Sequence, residues 1–162
     1  MKRIIIGTLA FGLLLVYACG NQGTESSATP AAATADQKET TENGNPSYDP
    51  KRGEGKFTKV ELSEKLDAAL ASTGEKTFGV KCSSCHKLTE EKLVGPGWKG
   101  VTSRRAPEWI MNFITNTDAM LNKDPQAQAQ LEICLVRMPN QNLSDDEARA
   151  LLEYMRQNDG VK

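Results

Sequence analysis

A single histidine stands in this chain of 162 residues, and it follows two cysteines at a fixed spacing, Cys82-Ser83-Ser84-Cys85-His86. Two thiols three positions apart on a helical turn can each add to one vinyl group of a porphyrin, and the adjacent imidazole then reaches the iron, so this is the pattern of covalent haem attachment. Three other readings compete with it. A redox-active dithiol calls for a βαβ setting that the surrounding sequence does not offer. A zinc site needs four ligands, and beyond this motif the chain has no other His and only Cys19 and Cys134. A structural disulfide between Cys82 and Cys85 stays possible in an exported protein.

The apolar spacing around the motif is helical. Leu62, Leu66, Ala69 and Leu70 predict one helix face from Val60 onward, and Ser72 with Glu75 predicts a capping box for a second short helix running to Lys81. Pro107 suits the first turn of a helix carrying Trp109, Ile110, Phe113 and Ile114 on one side. Asp124-Pro125 starts another, through about Cys134, and Ser144 with Glu147 caps a last one bearing Ala148, Leu151, Leu152 and Met155. No segment alternates like a strand. The expected fold is therefore all-α: a domain over 59–162 of short helices and long loops, such as Lys87 to Ala106. Loops of that length close a core more readily over a large apolar cofactor.

Further residues resemble the class I (mitochondrial-type) bacterial cytochromes c, in a membrane-anchored lipoprotein form. Gly74, Phe78 and Tyr154 stand where that family crosses its first and last helices, Gly95-Pro96 follows the His as in the family, and Trp98 takes the place of an apolar residue against the haem. Met138-Pro139-Asn140 and Leu143-Ser144-Asp145-Asp146-Glu147 look like the family's distal Met loop and C-terminal helix. The likeness runs from about Gly74 to Gln157 and leaves residues 20–71 as an extra arm. It implies one covalent haem c on Cys82 and Cys85, with the Pro96 carbonyl fixing the His86 tautomer and Pro96, Trp98 and Arg104 around the ring; Arg105 is the alternative to Arg104 at a propionate.

For the iron's second axial position, a lone His excludes a pair of histidines and leaves Met, Lys, Cys134 or an open site. Met111 and Met155 fall in helical patterns and Met120 follows a helix start, whereas Met138 sits in a loop before a Pro. His86 and Met138 are therefore the expected metal ligands. Cys134, among Leu131, Ile133 and Leu135, is expected as a buried small residue.

At the other end, Lys2-Arg3 and the apolar run Ile4 to Val16 form an export signal over 1–18, too short for a comfortable membrane span. Val16-Tyr17-Ala18-Cys19 resembles a lipobox, with Cys19 as the lipidated residue, although Tyr17 departs from the small residue usual there; a plain secretory signal is the alternative. Asn21 to Ser47 holds no Leu, Ile, Val, Met or aromatic residue and reads as a disordered linker, spanning about 30 Å as a flexible chain. Tyr48 to Thr58 reads as an extended lead-in.

Loss of the signal removes two cations from a chain at −1, leaving −3, which gives no reason to invoke nucleic acid. Between 81 and 105, however, six cations face two carboxylates, a local +4 against −7 elsewhere. The implied activity is single-electron transfer in a bacterial periplasmic respiratory chain, between redox protein partners and from a lipid anchor, with no small-molecule substrate and no enzymatic step. Two alternatives remain: a gas sensor or peroxidase-like protein with a displaceable Met, and a haem subunit of a respiratory complex.

Overall fold

A computed structural model describes residues 48–162. The expected signal, Cys19 and linker lie outside the described residues. Six helices follow in order: α1 (Ala68–Lys81), α2 (Val101–Arg104), α3 (Pro107–Thr115), α4 (Thr117–Lys123), α5 (Pro125–Cys134) and α6 (Asp145–Asn158). Among the described residues there is no strand, only an isolated bridge between His86 and Lys92.

Three of the sequence-predicted starts are where their chemistry puts them. Pro107 opens α3, where its missing N–H costs nothing, and Asp124 caps α5 through the Ala127 amide at 2.7 Å. Ser144 and Glu147 form a reciprocal capping box on α6.

The first predicted helix is different. Residues 60–67 are not helical, Ser72 lies inside α1, and the N-cap is Asp67, which accepts from the Leu70 amide at 2.9 Å. The competing partners come from α6 and the C-terminus. Buried Glu153 takes the Asp67 amide at 2.9 Å, Arg156 donates to the Ser63 carbonyl at 2.5 Å, and the Leu66 amide reaches the Lys162 carbonyl at 3.1 Å. Those groups are satisfied by tertiary bonds rather than by a helix ladder. Apolar spacing alone carries no sign of this.

The core forms where α1 crosses α6. At Gly74 a Cβ would lie 2.1 Å from the Ala150 carbonyl oxygen, so only glycine lets the helices approach this closely. One turn on, the Phe78 and Tyr154 rings stand 5.7 Å apart, and Trp98 meets the Phe78 ring edge-on at 4.7 Å. Ile110, Met111 and Ile114 of α3 join Leu151, Leu152 and Met155 of α6 in the same cluster.

Residues 48–58 carry no helix but are packed into this unit. Fully buried Asn112 donates to the carbonyls of Arg52 and Phe57, each at 2.9 Å, and accepts the Phe57 amide at 2.9 Å. Gly53, at φ +67°, lies against Met120 and Trp109. The packed unit thus includes this arm as well as 59–162.

Candidate functional site

The long loop between α1 and α3 is secured by the end of α6. Asn158 donates to the Leu88 carbonyl and accepts Lys99 on its own carbonyl, both at 2.9 Å. Asp159 accepts the Gly100 amide at 2.5 Å, the Thr102 amide at 2.9 Å and the Thr102 hydroxyl at 2.6 Å, capping α2 from outside. Sequence patterning overlooked both residues, because their partners lie some 60 positions away and only a polar pair at a helix end marks them.

On this scaffold the motif folds as a turn closing α1. The amides of Cys85 and His86 both reach the Cys82 carbonyl at 3.0 Å, and the Cys85 carbonyl takes the Gly95 amide at 2.9 Å. Cys82 is buried in the core cluster, and burial pushes its thiol up to about 11, against the opposing pull of Lys81. Cys85 is half-buried and free.

The His86 ring is aimed by two neighbours. Its Nδ1 lies 2.8 Å from the Pro96 carbonyl, which can only accept, so Nδ1 carries the proton and Nε2 keeps its lone pair. A Cβ at Gly95 would fall 2.3 Å from His86 Cε1; the glycine is the cradle in which the ring lies. Burial lowers the His86 pKa and the Pro96 bond partly opposes it, which favours the neutral imidazole a metal needs.

Cys85, His86, Pro96, Trp98, Arg104 and Met138 all line one cleft of about 280 Å³. Cys82 is not in its lining. Ile110, Ile114 and Leu121 give the cleft apolar walls, and Trp109 and Ala127 complete them. Met111 and Met120 do not line it; Met120, wholly buried, accepts the Glu54 amide on its sulfur at 3.0 Å. Met155 does line it, but from inside α6. Met138 is half-buried in the segment linking α5 to α6.

A neutral imidazole with a free Nε2, a thioether, two free thiols and an apolar cleft fit a covalent haem. The sequence model of the family described as Cytochrome c matches residues 71–159. The chain belongs to the cytochrome c family. It carries a covalently attached haem c and is an electron-transfer haem protein of the class I bacterial type.

Among solved structures, this cytochrome is similar to a cytochrome c from Rhodothermus marinus, 39% identical with a TM-score of 0.63 over 65% of this chain and 90% of that one. An engineered form of the Rhodothermus marinus protein, bound to a carbene intermediate, is 38% identical with a TM-score of 0.60 over the same shares. No curated protein matches in sequence.

Two arginines and a cysteine stand along the cytochrome's cleft. Arg104 donates to the Lys99 carbonyl at 2.7 Å, while the Arg105 guanidinium stacks over Trp109 at 4.6 Å, and both line the cleft. Cys134 is half-buried at the cleft edge rather than deep in a core, because α5 packs through Ala127 and Leu131 and leaves Ile133 61% and Leu135 84% exposed. The cations of 81–105 are not all free either. Lys81 pairs with Glu147 at 2.8 Å, Lys87 with Glu91 at 2.7 Å, and Lys92 reaches the Ile133 carbonyl at 3.2 Å.

Proposed function

We propose that this cytochrome is a single-electron carrier of a bacterial periplasmic respiratory chain, its haem attached through Cys82 and Cys85 and ligated by His86 Nε2 and Met138 sulfur. The observation that carries the reading is the placement of His86 and Met138 on one apolar cleft, with the His86 ring already oriented by Pro96. The bound haem supplies the ferric/ferrous couple, and a Met ligand favours the ferrous state. The chain's residues hold the ligands at fixed geometry, exclude water, and leave Arg104 or Arg105 to meet a propionate. Two protein ligands leave no open coordination position, so this reading includes no enzymatic step.

The test is spectroscopic. Haem should stay with the polypeptide through acid-acetone extraction, and the ferric protein should show the weak far-red band of a sulfur–iron bond. Met138→Ala should abolish that band and admit carbon monoxide; persistence of the band in this variant would move the ligand elsewhere.

A second reading, the sensor or peroxidase-like protein with a displaceable Met, is favoured by one observation. The Met138 segment is tied to the helices chiefly by Arg137, which bonds Asp118 at 2.9 Å and Asn122 at 3.2 Å. Rapid carbon monoxide binding by the unmutated ferrous protein would select this reading.

Redox partners meet the cleft mouth, where Val94 and Val136 of its lining are exposed beside Arg137, and the adjoining Ile133 and Leu135 continue the exposed apolar surface with Lys92 bonded to the Ile133 carbonyl. An acidic partner fits that rim, and its electron-transfer rate should fall steeply with ionic strength, less so for Lys92→Glu, since Lys92 is bonded to a carbonyl rather than to a carboxylate. Lys81, paired with Glu147, and Lys87, paired with Glu91, contribute less than their positions in the sequence imply. Anchoring through a lipid on Cys19 is part of the same reading. The full chain should partition into detergent, and Cys19→Ser should release it.

A further inference from the structure

Among the groups that ligation and docking leave unused, one carboxylate stands behind the cleft wall. Asp124 is completely buried. Its Oδ1 accepts the Ala127 amide at 2.7 Å, and its Oδ2 accepts Trp109 Nε1 at 3.1 Å together with the Tyr48 hydroxyl. Two of these three donors belong to residues that line the cleft, Trp109 and Ala127. The third, Tyr48, belongs to the arm.

Capping α5 does not by itself require this arrangement, since Asn or Ser would serve the Ala127 amide equally well. A carboxylate is an acceptor on both oxygens, which suits three converging donors. The cation facing it is Arg105, whose guanidinium covers the Trp109 ring at 4.6 Å, and the other carboxylates near Tyr48 are Asp49 and Glu54. A fixed negative charge in a poorly screened interior favours whichever state of a nearby redox centre is more positive, here the ferric one.

We propose that Asp124 acts on the redox couple through the Trp109 wall, its carboxylate lowering the haem potential, and that the Tyr48 hydroxyl sets how much of that charge the haem feels. The inference rests on haem occupying this cleft between His86 and Met138. It makes the arm part of the redox machinery, because release of Tyr48 would leave Asp124 less compensated and drive the potential down.

The experiment is a spectroelectrochemical titration of full-length, haem-loaded protein, comparing the unmutated chain with Asp124→Asn and Tyr48→Phe. Asp124→Asn should shift the equilibrium toward the reduced form by about tenfold, which is about 59 mV for one electron. Tyr48→Phe should move it the opposite way by a smaller factor. Hydrogen exchange at the Ala127 amide checks the cap, which stays protected in Tyr48→Phe. A purely structural Asp124 would give shifts of one sign, or none, and either result with the far-red band intact overturns the inference while sparing the ligand assignment. If Asp124→Asn fails to load haem, Tyr48→Phe decides alone: a downward shift supports the proposal, and no shift or an upward one overturns it. Absence of the far-red band in the unmutated protein would remove the ligand assignment, and this inference with it.

Discussion

His86 and Met138 line the same cleft, yet the two sides of it are held by different means. On the His86 side three segments are held against α6 and its C-terminal cap: the approach to α1 through bonds to Glu153 and Arg156, the long loop through Asn158 and Asp159, and α1 itself through the close approach at Gly74 and the Lys81–Glu147 ion pair. The Met138 side hangs between Leu135 and Asn142, two non-glycine residues at positive φ (59° and 49°), and its internal bonds, such as the Asn142 amide to Asn140 at 2.9 Å, are short-range. A redox site needs ligands that barely move between oxidation states. In the proposed ligation, His86 would owe that to tertiary bonds, and Met138 to packing against the cleft and to the Arg137 bonds beside it.

The sharpest way to break this contrast is to remove the centre of the His86-side frame. Glu153 is buried and bonded at once to Arg156 at 2.7 Å, Arg149 at 2.6 Å and the Asp67 amide at 2.9 Å. Glu153→Ala leaves Arg156 buried without its partner and should cost about 3–5 kcal/mol, read from denaturant unfolding at unchanged slope.

The same group gives an acid limb. Burial raises the Glu153 pKa, but the bonds from the Asp67 amide, Arg149 and Arg156 outweigh it and hold the carboxyl below its ordinary range. Its contribution is therefore complete above the unfolded value of about 4.3 and is lost as pH falls through the lower folded value. Glu153→Gln should flatten the stability profile below about pH 4. An acid limb equal to that of the unmutated protein would place the titrating group elsewhere.

A smaller loss is expected at Asp159, which caps α2 and holds the loop from outside the motif. Asp159→Ala leaves two amides and a hydroxyl without their acceptor and should cost about 1–3 kcal/mol. Because that loop also carries Pro96, the variant should widen the proton resonances of His86 before it alters those of Met138. Simultaneous broadening of both would mean the two sides are mechanically one.

How much of this was legible depended on the range of the interaction. The α3, α5 and α6 starts and the Gly74–Phe78–Tyr154 crossing are written in local spacing or in a spacing the family shares, and the structure has them in place; the attachment motif is equally local in spacing, and the haem itself follows from the family. The fate of 60–67 was not legible, since Leu62 and Leu66 keep helical spacing while the backbone groups of Ser63, Leu66 and Asp67 bond to residues more than 80 positions away. Cys134 misled for a related reason: an apolar run at the end of a helix looks like core until it is known which face the helix buries. Trp109 and Asp124 were visible only as a core residue and a cap, because one side chain bonding to the other across 15 positions leaves no periodic trace.

The smallest effect tests the Met138 side directly, and it carries two readouts of opposite sign. Leu135 ends α5 at φ 59° with its side chain 84% exposed, so it holds a left-handed backbone without burying much apolar surface in return. Glycine adopts that backbone without the Cβ penalty and is common just past a helix end. Leu135→Gly should raise stability by about 0.5–1 kcal/mol, since part of the relieved strain is offset by the freer unfolded chain. Were Leu135 only a strained helix end, nothing else would change. As a member of the apolar rim it should also lose contact with a redox partner, worth about 1 kcal/mol or roughly fivefold in complex affinity, seen as a higher half-saturation in electron-transfer kinetics at unchanged haem potential. A more stable variant that transfers electrons with the original half-saturation would take Leu135 out of the docking surface. A less stable one would show that the Met138 segment depends on this side chain, and that the two sides of the cleft are less different than their bonds imply.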